Sequence, residues 1–144
     1  MKNILIPIDF KGNEHLLLDK ALEFASNLKS KVWLLHVAAP DPDYVGFEAG
    51  PQSARDHRAN KLKEERRQIQ GFAKKFEEKG IDAEALLIQG ITVETILEKT
   101  ETLNIDLIIM GYQTYSLFYK IIFGSVSDSL IKKSNIPVLV VPLD

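Results

Sequence analysis

The sequence predicts a single-domain, doubly wound α/β sandwich in which a five-stranded, mostly parallel sheet carries four helices on its two faces. Short aliphatic runs such as Ile4–Ile8 and Val138–Val141 are continuous rather than alternating, as in strands covered on both faces. Stretches with helical spacing separate these runs by the length a βαβ crossover needs. The alternation holds along the whole chain, without repeats or low-complexity segments, and right-handed crossovers then put helices on both sides of one sheet.

Asn3–Ile8 is the first strand and ends at Asp9. Phe10-Lys11-Gly12-Asn13 reads as a turn, with Asn13 as the N-cap of a helix over about 14–29 whose apolar face is Leu17, Ala21, Phe24, Ala25 and Leu28. Lys31–Val37, aromatic, β-branched and apolar, is the second strand. Ala38–Ser53 holds Pro40, Pro42, Gly46, Gly50 and Pro51, a loop long enough to be a lid, a binding segment or simply mobile; mobility is the expectation.

Ala54–Lys79 is a long surface helix with a narrow stripe of Leu62, Ile69, Phe72, Ala73 and Phe76, and Gly71 as a weak point within it. Its first half carries Arg55, Arg58, Lys61, Lys63, Arg66 and Arg67, but Asp56, Glu64 and Glu65 are interleaved, which reads as a solvated face. Gly80 stops the helix, and Ala83–Ile88 is the third strand. Thr92 caps a third helix with Val93, Ile96, Leu97, Thr100 and Leu103 on one face. Asp106–Met110 is the fourth strand, stopping at Gly111; a fourth helix runs from about Ser125 to Ser134 with Lys132 and Lys133 at its negative end, and Pro137–Leu143 is the last strand.

At 144 residues the chain is one domain, residues 1–144, and its 45% hydrophobic and 26% charged residues are ordinary for a soluble globular protein. A net charge of −2 gives no electrostatic case for nucleic acid or an anionic membrane. Zero cysteines exclude disulfides, thiolate catalysis and Cys-ligated metal. The N-terminal apolar run is too short for a signal peptide and no run is long enough to span a bilayer, so a cytoplasmic protein is expected. His15, His36 and His57 have no spacing for a metal site or a triad, and His36 reads as a strand residue with a satisfied ring. No dinucleotide fingerprint, Walker loop, zinc-protease motif or nucleophile elbow occurs.

Two places stand out as candidate binding chemistry. A carboxylate at the end of a first parallel strand, here Asp9, is where nucleotide-binding sheets present an acceptor to ribose or adenine; it also suits a turn or cap. Gly124-Ser125-Val126-Ser127 opens the fourth helix, and its backbone N–H groups and hydroxyls suit an anion, while Ser125 with Asp128 also suits a capping box. The strand ends near Asp9, Val37 and Met110 should share one edge with this turn, where a crevice opens.

Taken together, Ile4-Leu5-Ile6-Pro7-Ile8-Asp9, Leu35-His36-Val37, Met110-Gly111, Gly124-Ser125-Val126-Ser127 and Ile136-Pro137-Val138-Leu139-Val140-Val141 resemble the universal stress protein (UspA-like) family over essentially the whole chain. The resemblance implies an adenine nucleotide α-hydrolase-like, Rossmann-like fold. The family's ATP-binding branch carries G-x2-G-x9-G-[ST], and Gly111 and Gly124-Ser125 stand at that spacing with Thr114 at the middle position. It implies ribose or adenine contacts at Asp9, adenine backbone contacts at Val37, and phosphate contacts at Gly111, Gly124, Ser125, Val126 and Ser127. Pro7, Ile8, Met110 and Thr114 complete the cofactor-binding set.

If the family glycine uses positive φ, Thr114 costs about 1–2 kcal/mol there. The loop's Tyr112, Tyr115, Leu117, Phe118 and Tyr119 are bulky, with Lys120 its only cation, so nucleotide binding weaker than in the ATP-binding relatives is expected. The resemblance thus implies a stress-response regulatory module rather than a fast enzyme, with ATP or another adenine nucleotide and Mg²⁺ as its cofactor. The alternative is the branch without nucleotide, acting through protein contacts; a slow ATPase ranks last. A homodimer through the last strand is expected, because that apolar edge must be covered, shortened or paired.

Overall fold

The computed structural model describes residues 1–39, 52–112 and 126–143. The proline- and glycine-rich loop up to residue 51 and the aromatic loop with Thr114, Gly124 and Ser125 lie outside the described residues.

Five strands, β1 (Asn3–Pro7), β2 (Lys31–Ala38), β3 (Ala83–Gln89), β4 (Leu107–Tyr112) and β5 (Val138–Pro142), form one sheet in the order β3-β2-β1-β4-β5. All of its pairings are parallel. The helices are α1 (Glu14–Leu28), α2 (Gln52–Glu78), α3 (Thr92–Thr102) and α4 (126–133). Because side chains alternate along a strand, Ile4 and Ile6 join Val32, Leu34 and Ile109 on one face, against Leu17, Ala21 and Ala25 of α1 and Ile69, Ala73 and Phe76 of α2. Leu5, Leu35, Ile108 and Met110 point the other way, to Ile96 of α3 and Leu130 of α4. The doubly wound architecture follows from continuous aliphatic strands that bury both faces.

Four local expectations are corrected. Asn13 holds the N-cap position of α1 at φ 61° but makes no side-chain cap. Its amide instead donates to the Leu143 carbonyl at 2.9 Å, tying the end of the sheet to the start of α1. Thr92 is the first helical residue rather than the cap: the Ile91 carbonyl already accepts the Thr95 N–H at 2.9 Å. Leu28, at the last turn of α1, is exposed. Finally β4 continues through Gly111 and Tyr112, which pair with Val141 and Pro142, so Gly111 is a strand residue.

At the opposite end of the sheet Asp106 Oδ2 accepts the backbone N–H of Asn3 at 3.0 Å and of Lys2 at 2.8 Å, joining the starts of β4 and β1. The Asn3 bond first and the Lys2 bond second hold the Asp106 carboxyl below the usual carboxylate range. A depressed folded-state value means the stabilisation is complete above the unfolded value and is lost as pH falls through the folded one. Asp106→Asn is therefore expected to lower the urea midpoint at neutral pH, with the gap to wild type closing in strong acid. A gap that stays constant across that range would assign the loss to something other than the carboxylate.

Candidate functional site

The chain leaves β1 toward β2 and β3 and later returns to the other side of β1 as β4 and β5. The helices that follow β1 and β4 consequently pack on opposite faces, and the carboxyl ends of those two strands splay open. A cavity of about 800 Å³ lies there. It is lined by Pro7, Ile8 and Asp9 after β1, Val37 of β2, Met110 and Gly111 of β4, and Val126 and Ser127 at the start of α4. The structure thus brings together every sequence-selected residue that it describes; Thr114, Gly124 and Ser125 lie outside the described residues.

Asp9 is exposed at the rim, and its Oδ1 accepts the Lys11 N–H at 3.0 Å, so it is a turn residue and a crevice acid at once. Between them Phe10 takes φ 59°, unusual for a bulky residue. Its ring packs edge-on to His36 with centroids 4.7 Å apart and stacks on Phe72 of α2 at 6.2 Å, which holds the turn in place. His36 is buried, as its strand position implied. Its Nδ1–H donates to the Ile8 carbonyl at 2.6 Å, and its Nε2 lies 3.3 Å from Glu65 of α2.

Gly111 has a different environment from the one its motif suggests. A Cβ placed on it would collide with Leu143 Cδ1 and come within 3.0 Å of Leu143 Cγ, so the Leu143 side chain fills the space beside this glycine. Leu143 is fixed there by two backbone bonds: its N–H donates to Tyr112 O at 2.8 Å and its carbonyl accepts the Asn13 amide.

Sequence reasoning missed the α2 wall. At about 1.5 Å per residue, the 27 residues of α2 span about 40 Å. The 7 residues of its neighbour β3 span only about 23 Å. The second half of α2 packs on the sheet through Ile69, Ala73 and Phe76, while its first half lines the cavity with Arg58, Lys61, Leu62 and Glu65. The signal was present in the spacing: Arg58, Lys61, Leu62 and Glu65 stand eleven residues, about three turns, before Ile69, Phe72, Ala73 and Phe76. The face that is apolar against the sheet is charged where the helix stands over the crevice. Among the described residues no three His, Asp or Glu side chains come together as a metal site, and no helix is long and apolar enough to cross a membrane.

Sheet order and crevice together define a parallel α/β protein with a ligand-sized cavity at its switch point. The pattern of the universal stress protein family matches residues 1–142, and the chain belongs to that family. It is 30% identical to universal stress protein MJ0577 of Methanocaldococcus jannaschii, over 97% of this chain and 94% of the relative. The solved structure of MJ0577 superposes with a TM-score of 0.74 at 32% identity, covering 98% of this chain and 95% of that one. Two more distant solved structures share the fold. One is a universal stress protein in complex with cAMP (TM-score 0.69, 17% identity, 99% and 98% covered). The other, from Archaeoglobus fulgidus, is in complex with dAMP (TM-score 0.69, 19% identity, 97% of each chain covered).

Proposed function

We propose that this chain is a cytoplasmic stress-response regulatory module that binds an adenine nucleotide in the crevice at the carboxyl ends of β1, β2 and β4. The observation that carries the reading is the convergence of Asp9, Val37, Met110, Gly111, Val126 and Ser127 around one cavity of about 800 Å³, within the size range of small-molecule sites. The cAMP and dAMP complexes of distant relatives support an adenine nucleotide as its ligand class. Asp9 keeps Oδ1 on the Lys11 N–H and offers Oδ2 to a ribose hydroxyl or adenine amino group. Mg²⁺ accompanying the nucleotide would rest mainly on phosphate oxygens, its usual mode, since the described residues supply no three-residue cluster for it. The proposal includes a homodimer paired through β5.

One observation favours a second reading, in which the protein works through protein contacts without nucleotide. Leu143 sits beside Gly111, where the resemblance puts a phosphate.

Calorimetric titration with ATP, ADP and AMP, with and without Mg²⁺, separates the two. Under the first reading Asp9→Ala lowers nucleotide affinity tenfold or more, because a hydrogen bond to a charged acceptor is worth about 1.5–3 kcal/mol and tenfold is about 1.4. Equal affinity in the variant removes Asp9 from the site. If none of the three nucleotides binds the wild-type protein, the second reading stands.

A further inference from the structure

We infer that Arg58 and Lys61 of α2 hold the anionic part of the crevice ligand, a phosphate or chain of phosphates, so that the site selects its ligand by phosphate charge. The inference rests on the reading above for the nucleoside part alone.

Core-facing positions of a helix are apolar where they meet a sheet. On α2 that face carries Ile69, Phe72, Ala73 and Phe76 in the lower half, and the same face three turns earlier carries Arg58, Lys61 and Glu65, with Leu62 the one apolar residue. Arg58 and Glu65 are half-buried and Lys61 is exposed, and all three line the cavity. Arg58 and Lys61 are three residues apart, which sets their Cβ atoms about 5–6 Å from each other and lets both heads reach one phosphate. An Arg fork gives paired donors to phosphate oxygens, and a Lys ammonium adds a point charge.

The acidic groups around the cavity are already engaged. Glu65 faces His36 Nε2 at 3.3 Å, Glu14 accepts the Gly12 N–H at 3.0 Å and Asp9 accepts the Lys11 N–H. Among the described residues Lys61 makes no ion pair. Lys11 lines the same cavity and adds to its positive charge.

The test compares adenosine, AMP, ATP and inorganic tripolyphosphate as calorimetric probes of wild type, Arg58→Gln, Lys61→Gln and the double variant. Lys74→Gln, which removes the same charge from an exposed position of α2 away from the cavity, is the control. Each single change is expected to lower ATP affinity about three- to tenfold, the double change more, with a smaller loss for AMP and none for adenosine. Lys74→Gln should match wild type, and all variants should keep the wild-type thermal midpoint. ATP affinity unchanged in the double variant, or equal losses for adenosine and ATP, overturns the inference while leaving the nucleotide reading intact. If wild type binds no nucleotide, that reading fails and tripolyphosphate decides: binding that the double variant loses upholds the α2 wall, and no binding, or equal binding, overturns it.

Discussion

Gly111→Ala is expected to lower the stability of the fold by about 1–3 kcal/mol, the usual cost of overpacking a core, with a fall of several degrees in the thermal midpoint. The new methyl would collide with Leu143 Cδ1 and stand 3.0 Å from its Cγ. Leu143 cannot retreat as a whole, because its N–H is bonded to Tyr112 O and its carbonyl to the Asn13 amide. Its side chain, now 7% exposed, has to turn to another rotamer and give up part of its packing, and overpacking of this kind costs about 1–3 kcal/mol. Combining Gly111→Ala with Leu143→Ala should recover much of the loss of the glycine change, and the double-mutant cycle measures that coupling. Additive losses would mean that Leu143 is not what Gly111 makes room for. The same cycle bears on function: Leu143→Ala alone opens the space beside Gly111, so ATP affinity should rise in that variant if Leu143 obstructs the phosphate path.

The fold was legible because both faces of the sheet are buried, which leaves Ile4–Ile8, Val32–Leu35 and Val138–Val141 as unbroken apolar runs that no surface element imitates. Helix starts were less legible. Asn13 and Thr92 are good capping residues, yet Asn13 spends its amide on Leu143, 130 residues away, and the helix at Thr92 begins from the Ile91 carbonyl. The crevice residues were readable from strand ends and the family pattern, whereas the role of Gly111 was not. Only the pairing of Gly111 with Val141 brings Leu143 against it, and a glycine needed for packing looks the same in sequence as one needed for phosphate. The charged wall of α2 was hidden differently: interleaved Asp56, Glu64 and Glu65 resemble a solvated face, and the eleven-residue spacing to the apolar stripe gains its meaning from the length of α2 relative to β3, which sets Arg58 and Lys61 over a cavity.

Val140→Pro is expected to convert the proposed homodimer to a monomer while sparing the sheet. β5 is the outer strand beside β4. The Ile108 N–H donates to Pro137 O at 3.0 Å and the Leu143 N–H to Tyr112 O at 2.8 Å, so the odd-numbered residues of this strand face β4. By the alternation of a parallel ladder, Val138 and Val140 turn their N–H and C=O groups outward, and Pro142 at the next outward position has no N–H to offer. An antiparallel twofold mate would pair with these outward groups, which makes the interface isologous. Proline at 140 deletes an outward donor without touching the β4 ladder, and proline is tolerated on edge strands for that reason. Lysine at 138 and 140 is the companion test, since both side chains are only half-buried; lysine at Val141, which is buried in the core beside α1, would unfold the chain instead. Sedimentation at micromolar concentration should show a dimer for wild type and a monomer of unchanged circular dichroism for Val140→Pro. A wild-type monomer at that concentration, or a Val140→Pro protein that still sediments as a dimer, would show that β5 is not the dimer contact.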